Sequence, residues 1–132
     1  MIQLRTYTNL IKGSAIYDAL ILLPLAVSPI FSGVNSSLQR MNEILGGNGW
    51  PVFLPFHMMF VSLVGVVGLT WAVARFMQPG LMLGRIDGVA RLVVAAILYA
   101  TVYQNGLPIL YLYAASELVV GVCLLALKVS RD

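Results

Sequence analysis

The chain has 132 residues, of which 60% are hydrophobic and only 10% charged, with a mean hydropathy of +0.91. A soluble domain carries about 25% charged residues, so this composition excludes a water-facing globule. The formal net charge is +3. The basic residues are scattered at the ends of apolar stretches and are not gathered with aromatics into a stripe, which excludes a nucleic-acid interface. Cys123 is the single cysteine, so an intrachain disulfide and a CxxC redox or zinc motif are excluded.

The first apolar stretch covers about 11–33 and carries Asp18, Pro24 and Pro29. Arg5 and Lys12 ahead of it give the look of a signal peptide. The apolar run is too long for such a segment, however, and the small-residue site Ala26-Val27-Ser28 is followed by Pro29, so a retained membrane helix is expected. Each interior proline removes a ladder hydrogen bond, so Pro24 and Pro29 are expected to kink this span and open space beside its polar residues. Next, Ser36-Ser37-Leu38-Gln39 matches a capping box. Leu38, Met41 and Leu45 then recur opposite Arg40, Asn42 and Glu43, and Gly46-Gly47 supplies a stop. This predicts a short amphipathic helix over 36–46, lying on the outer leaflet or packed as a lid across the bundle mouth.

Three further apolar stretches follow at about 51–76, 86–103 and 107–128. They are separated by the turn signals Gln78-Pro79-Gly80 and Asn105-Gly106. A spanning helix needs about 20 apolar residues, and helices are the spanning form that pairs every backbone group within one segment. The expectation is a single all-α transmembrane domain over 1–132, an integral membrane four-helix bundle. Lys and Arg sit in the N-terminal tail, in the second connection at Arg85 flanked by Arg75 and Arg91, and at Lys128 and Arg131. The other two connections hold only Arg40. The positive-inside rule then puts both termini in the cytoplasm, the expected location being the bacterial inner membrane. Trp71 and Phe76 read as interfacial aromatics near the inner face, and Trp50, Tyr99 and Tyr111 as their outer counterparts.

Ionisable groups inside these spans are the candidate functional residues: Asp18, His57, Asp87, Arg91 and Glu117. At 1.5 Å per residue, Asp18 and Arg91 lie roughly 8–9 Å above the cytoplasmic side and Glu117 roughly 16 Å above it. Arg91 cannot neutralise itself, so it is expected to pair with Asp18, with Asp87 one turn earlier, or with both. Such pairing also serves as a clamp that docks one helix on another. Glu117 is the deepest group and has no obvious cation beside it. A carboxyl so placed is expected to be neutral in hydrocarbon, able to donate a hydrogen bond or carry a proton. Gly121, one turn on, permits close helix approach. The lone His57 excludes a bis-histidine haem. His57-Met58-Met59 has Cu(I)-type ligands, but consecutive helical residues do not share a face, so no metal site is expected.

Three pieces of the chain carry a resemblance. They are Tyr17-Asp18-Ala19-Leu20 running into Leu23-Pro24, Gly84-Arg85-Ile86-Asp87-Gly88 at the start of the third span, and Glu117 with Gly121 in the fourth. With its size and four spans, the chain resembles the DoxX-like family of small bacterial four-helix membrane proteins. The resemblance implies a role beside membrane redox enzymes or in quinone-linked chemistry. Small multidrug transporters share the length, but carry their membrane carboxylate in the first span.

Three functions are consistent with these residues. The first is a non-enzymatic accessory or interaction protein that binds a lipid or quinone-like molecule, with a membrane protein partner or as a homo-oligomer. The second is a proton-coupled transporter using Glu117. The third is a small membrane enzyme acting on an apolar substrate, with Glu117 as acid and His57 as base. The last requires those two side chains to converge on one cavity.

Overall fold

Prolines and glycines set the element boundaries. The computed structural model describes residues 2–130 and is all-α. Those residues form five helices: α1 (Leu4–Ala26), α2 (Ser28–Ile44), α3 (Pro55–Met77), α4 (Leu81–Asn105) and α5 (Leu110–Ala126). Two-residue strands β1 (Ile2–Gln3) and β2 (Val129–Ser130) pair in parallel and hold the two ends of the described chain together. Arg131 lies outside the described residues.

The first span differs from expectation in both its limits and its prolines. Helix α1 begins at Leu4 rather than near residue 11, because Tyr7, Ile11 and Ala15 bury one stripe at four-residue spacing. Pro24 lies in the last turn of α1, and the helix breaks at Val27. Pro29 then falls in the first turn of α2, where a missing amide is harmless. It therefore starts a helix and does not kink a span.

Helix α2 is longer than the expected 36–46 element, and Asn42 takes the face opposite to the one expected, while Arg40 and Glu43 stay exposed. Ser36 and Ser37 sit in its interior, bonding back to the carbonyls of Ser32 and Gly33, so the capping box does not form. Asn42, placed by its polarity on the outer face, is fully buried, while Met41 and Leu45 are exposed. Its Oδ1 accepts from the Ile109 amide at 3.4 Å, and its Nδ2 donates to the Asn48 carbonyl at 3.2 Å. Asn48 in turn donates to the Gly106 carbonyl. Helix α2 is thus tethered to the α4–α5 turn. Gly46 ends its C-terminal turn at φ +77, and Gly106 ends α4 at φ +62. Arg85, expected in a connection, lies inside α4, whose start follows the Gln78–Gly80 turn.

The helices pack as two pairs, α1 with α3 and α4 with α5. Glycines permit both close approaches. A Cβ on Gly65 would lie 2.3 Å from the Ala26 backbone nitrogen, and one on Gly121 would lie 3.1 Å from the Gly88 carbonyl oxygen. Near the paired strands the two halves meet through Tyr7, Ile11 and Leu124, which are completely buried. The Tyr7 hydroxyl donates to the Leu124 carbonyl at 2.8 Å.

Among the described residues, α1 and α3 are long and apolar enough to cross a membrane. Only 17% and 11% of their apolar windows are buried, unlike the core helices of a soluble protein. Phe60, Val64 and Val67 of α3, Val93 and Ile97 of α4, and Leu118 and Val119 of α5 all face outward. An apolar exterior this extensive marks a surface covered by something other than water.

Gly65→Ala is expected to lower stability by about 1–3 kcal/mol, since backbone must move to admit the new methyl. Gly13→Ala, with nothing within 4 Å of the new Cβ, is expected to be tolerated. Thermal unfolding of both variants in detergent checks the contrast.

Candidate functional site

Five charged side chains from four helices converge between the two helix pairs. Asp18 comes from α1, Arg75 from α3, Asp87 and Arg91 from α4, and Glu117 from α5. Four of them close a ring of alternating charge. One oxygen of Asp18, Oδ2, accepts from Nη2 of both Arg75 and Arg91. One oxygen of Asp87, also Oδ2, accepts from Arg75 Nη1 at 2.6 Å and Arg91 Nε at 2.9 Å. Glu117 hangs outside the ring by a single bond, Arg91 Nη1 to Oε2 at 2.8 Å.

The surroundings match this arrangement. Arg75 is fully buried, with its guanidinium 5.9 Å from the Trp71 ring centroid. Its Nη1 also donates to the Ser14 hydroxyl at 3.2 Å. Trp71 Nε1 donates to the remaining Asp87 oxygen at 3.0 Å. Trp71 is therefore a partner of the cluster. Arg75, Asp87 and Arg91 are nearly sealed, while the side chains of Asp18 and Glu117 keep 14% and 17% of their exposure. Each guanidinium bridges different carboxylates through single charge-assisted contacts, which belong to the strong class of hydrogen bond.

Of the expected polar residues, the structure brings together Asp18, Asp87, Arg91 and Glu117. Arg91 bonds both aspartates, and Glu117, expected to stand alone, is paired with Arg91. His57 is elsewhere. It is exposed near the start of α3, where its Nδ1 accepts from the Leu54 amide at 3.3 Å. It lies about 27 Å along α3 from Arg75 at 1.5 Å per residue. His57 caps its own helix and takes no part in the polar core. The residue that sequence reasoning missed is Arg75, taken as a basic flank of the second connection. The signal was charge balance: three carboxylates in the spans against Arg91 alone call for a second cation. Among the described residues, no three His, Cys, Asp or Glu side chains group as a metal site.

Beside the cluster, on the α4–α5 face, lies an apolar groove of about 630 Å³. Ala95, Ala96, Ala114 and Ala115 form its floor, Leu92 and Leu118 also line it, and Tyr99 and Tyr111 stand together with ring centroids 5.8 Å apart. Small residues keep the groove open, and no charged side chain lines it. The arrangement can hold a hydrocarbon chain.

Comparison with protein-family models, curated proteins and solved structures finds no match to this chain.

Arg75→Gln leaves two buried aspartates sharing one guanidinium. Breaking a buried ion pair in this way costs about 3–5 kcal/mol, so the variant is expected to unfold far below the wild type. Arg40→Gln, on an exposed position of α2, is expected to change stability by less than about 0.5 kcal/mol. Thermal unfolding in detergent distinguishes the two.

Proposed function

We propose that this protein is a four-span integral protein of the bacterial inner membrane with both termini in the cytoplasm. It acts as a non-enzymatic accessory protein that holds a lipid or quinone-like molecule against its α4–α5 face for a membrane partner. The observation that carries this reading is how the buried charges are used. Every charged side chain of the cluster is bonded to another member of it, so the polar core joins helices and leaves no acid–base pair facing a cavity. The groove beside it is apolar and floored by alanines.

Several features support the four-span placement beyond the two apolar helices. Helix α4 has 25 residues, about 37 Å at 1.5 Å per residue. Helix α5 has 17 residues, and the tight turn over Leu107–Leu110 adds to its reach. Lys12, Arg85 and Lys128 lie toward the end of the bundle that carries the paired strands, with Arg85 bonded to the Leu127 carbonyl, as cytoplasmic basic residues would. Kinship with DoxX-like proteins belongs to this proposal and rests on the pieces at 17–24, 84–88 and 117–121. The enzyme reading loses its support because His57 and Glu117 do not converge. Proton-coupled transport keeps one favouring observation, the partial exposure of Glu117.

Photo-crosslinking in membranes tests the proposal, with diazirine-bearing phospholipid and isoprenoid-quinone probes. Crosslinks are expected on peptides containing Ala96 and Ala115, with at least about fivefold loss in Ala115→Trp, which fills the groove. Equal labelling all around the bundle, unchanged by Ala115→Trp, would contradict it. Flux driven by a pH gradient in proteoliposomes, abolished by Glu117→Gln, would favour transport instead.

A further inference from the structure

We infer that the buried cluster binds one exchangeable proton, and that Glu117 is the group that holds it. This inference rests on the bilayer placement proposed above and adds a proton-binding site to it. The ring of Arg75, Asp18, Arg91 and Asp87 is electrically neutral, with two guanidiniums shared between two carboxylates. Glu117 is a fifth ionisable group outside it, and its one charged partner is already engaged with both aspartates. With all five groups ionised the cluster carries one negative charge in surplus. A net charge surrounded by hydrocarbon is costly, and proton uptake is the ordinary means of removing it.

The hydrogen bonds select Glu117 as the site. Protonating Asp18 or Asp87 would weaken bonds to two guanidiniums at once, and Asp87 also takes the Trp71 indole. Glu117 gives up only the charge on one bond, and its neutral form still accepts from Arg91 through Oε2. The groups that face it are all named by the packing. Helix α4 presents Arg91, with Asp87 behind it. Helix α1 presents Asp18, with Tyr17 beside it, and the Tyr17 hydroxyl donates to Ser116 at 3.1 Å. On α5 itself, Ser116 donates to the Tyr113 carbonyl. Arg75 of α3 reaches only the aspartates and Ser14. Glu117 is also the most open side chain of the five, at 17% exposure, so its proton has a route to exchange. Gain of the proton makes the cluster neutral. Its release returns one negative charge and one proton, with no other bond changed.

Infrared spectroscopy of the purified protein in lipid nanodiscs tests this directly. At pH 7 the wild type is expected to show the C=O stretch of one protonated carboxylic acid, shifted in D2O and lost as pH is raised in a one-proton titration. The band is expected to vanish in Glu117→Gln and to persist in Glu43→Gln, whose carboxylate sits on the exposed face of α2. No such band in the wild type, or a band that survives in folded Glu117→Gln, would overturn the inference. The wild-type titration stands even if Glu117→Gln does not fold. Carbonate extraction separates the two proposals: a chain released from membranes would fail the bilayer placement, whereas an inserted chain without the band would fail only the proton assignment.

Discussion

One interaction decides how this chain is assembled: the closed ring in which Arg75 and Arg91 share the carboxylates of Asp18 and Asp87. The Gly65 and Gly121 contacts bring α1 onto α3 and α4 onto α5, whereas Gly84 of α4 lets Tyr7 and Ile11 of α1 approach across the pairs. Between the pairs the direct packing is thinner, confined mainly to Tyr7, Ile11 and Leu124 beside the paired strands. Apolar side chains have little preference between a neighbouring helix and a lipid tail, so packing alone would hold the halves weakly in a bilayer. Guanidinium and carboxylate have no such alternative. Their charges are met by one another, with Ser14 and Trp71 adding one bond each, and that arrangement admits one relative placement of α1, α3 and α4.

The same economy explains where ligand space lies. The ring consumes the charged groups and the surrounding indole and hydroxyl, leaving the α4–α5 face lined by alanines, leucines and two tyrosines. The α2 end is held by a different device, Asn42, which bonds both the α5 side and the loop after α2. Function is then expected where the sealed core meets an open apolar surface, close to Glu117, the one cluster member that the ring does not require.

Much of this was legible in the sequence, and the failures have physical causes. The apolar stretches located α3, α4 and α5 to within a few residues, because hydrophobic density is what a bilayer or an apolar exterior demands. The same density rule missed the first turns of α1, where polar residues flank a buried stripe of Tyr7 and Ile11. Pro29 read as a break inside a span because it interrupts an apolar run; its place in the first turn of α2 depends on the chain reversing at Val27, which composition does not record. Asn42 read as solvent-facing from its polarity, yet a buried amide is stable once its donor and acceptor are both used, and its partners are remote in sequence. Arg75 read as a surface flank because it lies close to the end of α3. Counting carboxylates against cations would have called it inward. His57 was drawn into the core by its chemistry alone, whereas a helix start is equally able to use an imidazole nitrogen as a cap.

The claim that the ionic ring joins the two helix pairs is tested most directly by a double-mutant cycle across α3 and α4, with Arg75→Gln and Asp87→Asn measured singly and together in detergent. Residues within one buried network couple by about 0.5–3 kcal/mol, whereas independent sites add to within about 0.5 kcal/mol. A coupling of about 2 kcal/mol or more is predicted. Strict additivity of the two substitutions would contradict the account.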